Sequence, residues 1–213
     1  SNTTASTNNA VGYQAGYSNT TGTVNTALGY SALYSATTAT QNVSVGHQAG
    51  FATTTGSYNS MLGVNALRYN TSGANNTAIG QGSLFSNTTA SNNTAIGYDA
   101  LTLNTTGQRN VAVGNFSLDA NTTASFNTAV GASSLTNNTT GAGNTAVGYL
   151  TGEDLTTGSS NTFMGNQTGK NTSTSSSNSA FGSAALQENT TGAANTAVGA
   201  AALRNNTTGG GNH

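Results

Sequence analysis

The chain has 213 residues, of which four are basic and five acidic, so its net charge at pH 7 is −1 and only 4% of residues are charged. Nucleic acids and anionic membrane surfaces attract clustered Lys and Arg, so this composition predicts neither partner. The chain has no Cys, which excludes disulfides and thiolate metal sites, and no apolar run of about 20 residues that predicts membrane insertion. It also has no Pro, the residue that hydrogen-bonded ladders exclude. These features together favour an ordered β structure.

A short box of the type Asn-Thr-Ala-Val-Gly returns along the chain with a strict 17-residue period. Its final glycines are Gly12, Gly29, Gly46, Gly63, Gly80, Gly97, Gly114, Gly131, Gly148, Gly165, Gly182 and Gly199. A fixed period indicates a repeat array, and this period is too short for helical or propeller repeats of about 34 to 45 residues. We therefore predict an all-β parallel β-solenoid of about twelve coils, about 57 Å long at a coil spacing of about 4.8 Å. Residues 1–213 are expected to form one array, a segment of a longer fibre protein.

The box itself is predicted to be a strand. Its last two residues before the glycine are both apolar, as in Ala112 and Val113, and adjacent strand residues point to opposite faces. We expect alanine to fill the narrow interior and the larger aliphatic residues to face outward, where a second surface must cover them. The reverse orientation, with the aliphatic residues inside, remains open at this point.

Three features complete each predicted coil. The glycine after the aliphatic residue indicates a tight corner with positive φ. A second box follows, Ala-Leu as at Ala100-Leu101 or Ala-Gly as at Ala15-Gly16, and is predicted to be a second strand with leucine as an interior plug. The Asn-Thr-Thr-Gly segment, as at residues 104–107, then predicts a turn that returns the chain to the next box.

The first asparagine of each box is predicted to form a structural ladder. Identical amides that stack from coil to coil can hydrogen-bond along the axis, as in other cross-β stacks. The ladder residues are Asn25, Asn42, Asn59, Asn76, Asn93, Asn110, Asn127, Asn144, Asn161, Asn178 and Asn195, with Asn8 and Asn212 in line at its ends.

No arrangement of residues predicts catalysis. The histidines are His47 and His213, and the carboxylates lie at Asp99, Asp119, Glu153, Asp154 and Glu188, at coil positions that do not recur. Catalytic and metal sites need several converging groups, and phosphate-binding loops need a strand and a helix around them. We therefore predict neither an enzyme nor a bound cofactor or metal.

The residue after each corner glycine and the residue after each second box vary between coils, which indicates exposed sites. Aromatic residues concentrate at these sites near the N-terminal end, and they define a candidate contact patch for a protein or a carbohydrate. The patch consists of Tyr13, Tyr17, Tyr30, Tyr34 and Phe51. The alternative interpretation is that these rings only cover the first coils of the array.

The boxes at residues 93–97, 110–114 and 127–131 resemble the SVAIG-type boxes in the head domains of trimeric autotransporter adhesins. They are also similar to repeat regions of phage tail fibres and large bacterial surface proteins. The resemblance spans essentially the whole chain. It implies a homotrimer in which each chain forms a left-handed parallel β-roll and buries its apolar strand face around a common axis. The 17-residue period is longer than that of the commoner head repeat, and the additional residues are expected on the Asn-Thr-Thr-Gly side.

Three functions are compatible with this pattern. The leading hypothesis is a structural and adhesive segment of an extracellular, cell-surface or virion fibre, which displays contact residues rigidly to a cell-surface or glycan receptor. An ice-binding solenoid is the second, because pairs such as Thr105-Thr106 return in many coils. A filament that assembles by axial stacking of open coil ends is the third.

Overall fold

A computed structural model describes residues 5–212 and contains one short strand in every repeat. The twelve strands are β1 (Asn9–Val11), β2 (Thr26–Leu28), β3 (Val43–Val45), β4 (Ser60–Leu62), β5 (Thr77–Ile79), β6 (Thr94–Ile96), β7 (Val111–Val113), β8 (Thr128–Val130), β9 (Thr145–Val147), β10 (Thr162–Met164), β11 (Ser179–Phe181) and β12 (Thr196–Val198). Residues 1–4 and 213, which the predicted array also included, lie outside the described part of the chain.

All twelve strands belong to one parallel sheet whose order follows the sequence from β1 to β12. The register never shifts, so that Ala95 pairs with Ala112 and Ala112 pairs with Ala129, each one repeat further along the chain. Each turn of the chain therefore lies directly on the previous one, and the predicted parallel β-solenoid of 17-residue coils is confirmed. A one-residue insertion in any coil would turn the following strand residues to the wrong face, which explains the strict period.

The alanine of each box faces inward and the aliphatic residue faces outward, so the predicted orientation is confirmed. Ala95, Ala112 and Ala129 are fully buried, whereas the residues on either side of each are at least partly exposed. We call the inward residues the inner column: Ala10, Ala27, Ser44, Met61, Ala78, Ala95, Ala112, Ala129, Ala146, Phe163, Ala180 and Ala197.

The predicted second strand is wrong. Leu101 is the buried interior plug that the sequence indicated, but its φ is 55°, and Asp99 two residues earlier has a φ of 49°. A strand needs strongly negative φ values, so this segment turns inward through left-handed residues. Its amides still bond to neighbouring coils: the N–H of Leu101 donates to the carbonyl of Ser117 at 2.9 Å, and that of Asp99 to Gln81 at 2.9 Å. Each coil thus has one strand, and the rest is turns that remain hydrogen-bonded along the axis.

Side-chain volume in the interior is balanced between neighbouring coils rather than within each coil. Gly152 and Gly169 occupy plug positions without a side chain, and the ring of Phe163 from the inner column fills both gaps. A Cβ at Gly169 would lie 2.8 Å from this ring, and one at Gly152 would lie 3.2 Å from it. Met61 fills the gap beside Gly50 in the same way. Large inner residues therefore replace the missing leucine plugs at Gly50, Gly152 and Gly169, which keeps the core there at the density of protein interiors, whereas Gly16 in the first coil lies beside the small Ala10.

Phe163→Ala is expected to lower the free energy of unfolding by about 3–5 kcal/mol, because it leaves a cavity that no nearby plug fills. Gly169→Leu alone should also destabilise the protein, since the new side chain collides with the Phe163 ring. The double variant should recover part of the loss, because leucine adopts the φ of Gly169 (59°) at other plug positions, such as Leu101. Urea unfolding of the four proteins measures this coupling, and strictly additive effects would contradict it.

The corner glycines have φ values between 122° and 142°, a region that L-residues rarely adopt. A Cβ on Gly29 would also lie 2.5 Å from the carbonyl oxygen of Gly46 in the next coil. Backbone conformation and the close approach of the next coil therefore both require glycine at this corner.

The predicted asparagine ladder lies at the start of each strand, and nearly all its members are buried. The Oδ1 atom of Asn110 accepts the backbone N–H of Asn127 at 3.0 Å, and its Nδ2 group donates to the carbonyl of Ala124 at 2.9 Å. Several neighbours also bond amide to amide, as Asn59 donates to Asn42 at 3.2 Å. The ladder thus supplies partners for backbone groups that the turn would otherwise leave unpaired in the interior.

A second asparagine ladder begins each Asn-Thr-Thr-Gly segment, which the repeat pattern had predicted only as a turn. It runs through Asn70, Asn87, Asn104, Asn121 and Asn138, with amide-to-amide distances of 2.9–3.4 Å. Leu155 takes the next place and is fully buried. Leucine has no donor, so Oδ1 of Asn138 is left buried without a hydrogen-bond partner in the described structure.

Candidate contact surfaces

The outward side of the sheet is an apolar face, which we call the aliphatic face. It consists of Val11, Leu28, Val45, Leu62, Ile79, Ile96, Val113, Val130, Val147, Met164, Phe181 and Val198. Leu62 is 49% exposed and Val198 72% exposed, and the members in the middle of the sheet are at least partly exposed. The parallel column beside it holds mainly Thr, with Val43 and Val111, and neither column contains a charged residue. The chain alone therefore leaves a continuous apolar stripe along its full sheet.

The residues of the predicted aromatic patch stack in two ladders. The first ladder is Tyr13, Tyr30 and His47, and the second is Tyr17, Tyr34 and Phe51. Successive rings lie 5.1–5.3 Å apart with interplanar angles of 3–20°. Because the rings stack on one another, most ring faces are covered within the ladders, and a sugar or a protein would meet mainly the ring edges.

Arg68 ends the second ladder, a role that the repeat pattern did not predict. Its guanidinium carbon lies 6.0 Å from the ring centre of Phe51, 5.2 Å from that of Tyr69 and 5.8 Å from that of Phe85. Such distances are typical of cation–π contacts. Only the coil period could have revealed this cluster, because one full repeat separates Arg68 from Phe51 and from Phe85 in the adjacent coils.

The repeated threonine pairs divide into two rows with different roles. The hydroxyl of the first threonine donates to a backbone carbonyl of the next coil, as Thr105 does to Thr122 at 3.0 Å and Thr88 does to Thr105 at 3.2 Å. The second threonine of each pair, such as Thr106, is exposed. The second row is therefore the one that presents its hydroxyls outward.

Charged groups are sparse and dispersed. Within residues 5–212, the ion pair found joins Lys170 Nζ and Glu153 Oε2 at 3.5 Å, on partly exposed side chains. Burial raises the pKa of Asp119 above its usual value, and the nearby negative charge of Asp99 raises it further. In the same part of the chain, no three His, Asp or Glu residues are grouped closely enough to hold a metal ion. Residues 5–212 contain no helix that is long and apolar enough to cross a bilayer.

Comparisons with protein-family models, with curated proteins and with solved structures find no match to this chain. Its fold places it in the class of β-solenoid repeat proteins.

Proposed function

We propose that this chain is a structural and adhesive segment of an extracellular, cell-surface or virion fibre that assembles as a homotrimer. The observation that carries the proposal is the aliphatic face, because it is apolar, uncharged and in register over all twelve strands. Apolar stripes of this extent mark surfaces that another molecule covers. The stiff, hydrogen-bonded stack of coils suits a rod that holds contact residues at a fixed distance from its base.

Other copies of the same chain are the proposed cover for this face. A partner must be as long as the sheet and must offer a matching uncharged apolar surface at every coil, and a second copy meets both requirements. Three copies, the number that the resemblance to trimeric adhesin heads implies, would form a closed ring in which every chain turns its aliphatic face towards the common axis. The variable residues at the coil corners stay outside such an assembly and are the proposed contacts with a surface receptor.

The mass of the protein in solution tests the proposal. Light scattering on a size-exclusion column is expected to give three times the chain mass of 21.0 kDa. A single chain at 21.0 kDa would reject the assembly. A mass that rises continuously with concentration would instead indicate axial stacking into filaments.

The exposed row of second threonines supports an ice-binding role as a second candidate. Residues such as Thr89, Thr106 and Thr123 repeat in successive coils and are exposed. The variable corner residues interrupt the flatness of the surrounding surface, so we rank this candidate below the fibre. Thermal hysteresis in a protein that is a single chain in solution would reverse the ranking, and its absence would remove the candidate.

A further inference from the structure

A notch opens on the side of the solenoid between the two variable columns. It has a volume of about 250 Å³ and is lined by Asn65, Gln81, Gly82, Phe85, Asp99 and Thr102. Asn65, Gly82 and Asp99 occupy the same place in three successive coils, and Gly82 is the one glycine in that column over all twelve repeats. The missing side chain at Gly82 creates the notch. A single water occupies about 30 Å³, so the space suits a larger guest.

The notch presents hydrogen-bond acceptors beside an aromatic ring. Oδ1 of Asp99 lies over Gly82, and the hydroxyl of Thr102 donates to the carbonyl of Gly82 at 3.0 Å. Phe85 forms a wall and is held edge-on against Tyr69 at a ring-centre distance of 4.9 Å. A carboxylate accepts hydrogen bonds at two oxygens, so a guest with hydroxyl groups would find acceptors at Asp99.

We propose that this notch binds a single neutral pyranose ring of a glycan. Sugar hydroxyls would donate to the Asp99 carboxylate, and the C–H face of the ring would pack against Phe85. Asp119 lies close enough to Asp99 for their charges to interact. Neither forms an ion pair with a basic residue within residues 5–212. Acidic sugars are therefore disfavoured. The biological meaning of the site rests on the proposed adhesive function, but the binding itself does not depend on it.

Saturation-transfer NMR on the whole chain tests the proposal with glucose, galactose, mannose, fucose and N-acetylglucosamine, and with N-acetylneuraminate as the acidic comparison. We expect transfer to at least one neutral sugar, with a dissociation constant of about 1 mM, and none to the acidic sugar. Gly82→Asn should abolish the transfer, because the new side chain fills the notch and displaces the Asp99 carboxylate, whose Oδ1 occupies the position of the added Cβ. The substitution suits the backbone, since φ is 69° at Gly82 and 59° at Asn65 in the same column.

Gly143→Asn is the matched control. Gly143 lies on a different, exposed part of the coil and has a φ of 68°, and Asn75 at the same coil position has a φ of 58°, so asparagine suits this backbone as well. It should bind the sugar as the unchanged protein does. Asp99→Asn keeps the shape and removes the charge, so it should weaken binding about tenfold or more. Absence of transfer to every neutral sugar, or equal binding by Gly82→Asn, would overturn the proposal. The mass in solution tests the fibre assembly independently of sugar binding, so failure of the sugar site is distinguishable from failure of the proposed function.

Discussion

If the chain assembles as the proposed trimer, Val113→Asp is expected to convert it into single chains of 21.0 kDa. Val113 lies at the end of β7 in the middle of the aliphatic face, and its neighbours in the sheet are Ile96 and Val130. In a trimer, the substitution places a carboxylate without a partner in each covered apolar surface, which costs several kcal/mol per charge. The interior of the coil is unaffected, because the side chain points outward. Light scattering measures the mass, and circular dichroism checks that the β signal is retained.

Asn115→Asp is the control for this prediction. Asn115 lies two residues further along, beyond the corner glycine Gly114, and its side chain is exposed. It adds the same charge outside the aliphatic face, so mass and stability should stay close to those of the unchanged protein. If the two variants had the same mass, the aliphatic face would not be the assembly surface.

Asn110→Asp is expected to destabilise the protein strongly, although the two side chains have the same shape. Asn110 is fully buried, and its Nδ2 group donates to the carbonyl of Ala124 at 2.9 Å. The introduced carboxylate cannot donate this hydrogen bond, and one of its oxygens faces the carbonyl oxygen of Ala124 in the interior. We expect the free energy of unfolding to fall by about 3–5 kcal/mol at neutral pH, the range for an uncompensated buried charge. Urea unfolding measures the loss, and Asn115→Asp serves again as the exposed control.

The pH dependence of this variant gives an independent check. Burial disfavours the charged form, so the pKa of the introduced aspartate is raised in the folded state above its unfolded value of about 3.9. A group whose pKa is higher in the folded state destabilises the protein least at pH values below its unfolded pKa. The stability of the protein is then lost as the pH rises through the folded pKa. The difference from the unchanged protein should therefore shrink below about pH 4. A pH-independent difference would mean that the lost hydrogen bond, and not the charge, dominates.

The sequence by itself determined the class of fold and the content of its columns. A 17-residue period without one insertion can be maintained only if each coil lies on the last in register. The alternation of small and large apolar residues within each box then predicted which residue faces inward, and burial of Ala112 beneath the partly exposed Val111 and Val113 agrees with it. The first asparagine ladder followed from the same repetition, because identical residues at a fixed period must meet in the stack.

Only the tertiary structure decided how the chain closes each coil and where its surface departs from regularity. The Ala-Leu box has the residue types of a strand, yet Leu101 takes a positive φ because the chain must turn there to bury its side chain. Phe163 fills the space left by Gly152 and Gly169, and the notch at Gly82 opens beside Asp99, through contacts that run between coils. Such features depend on which side chain of one coil lies against which gap in the next. A period establishes that two coils are neighbours, but side-chain packing decides which atoms touch.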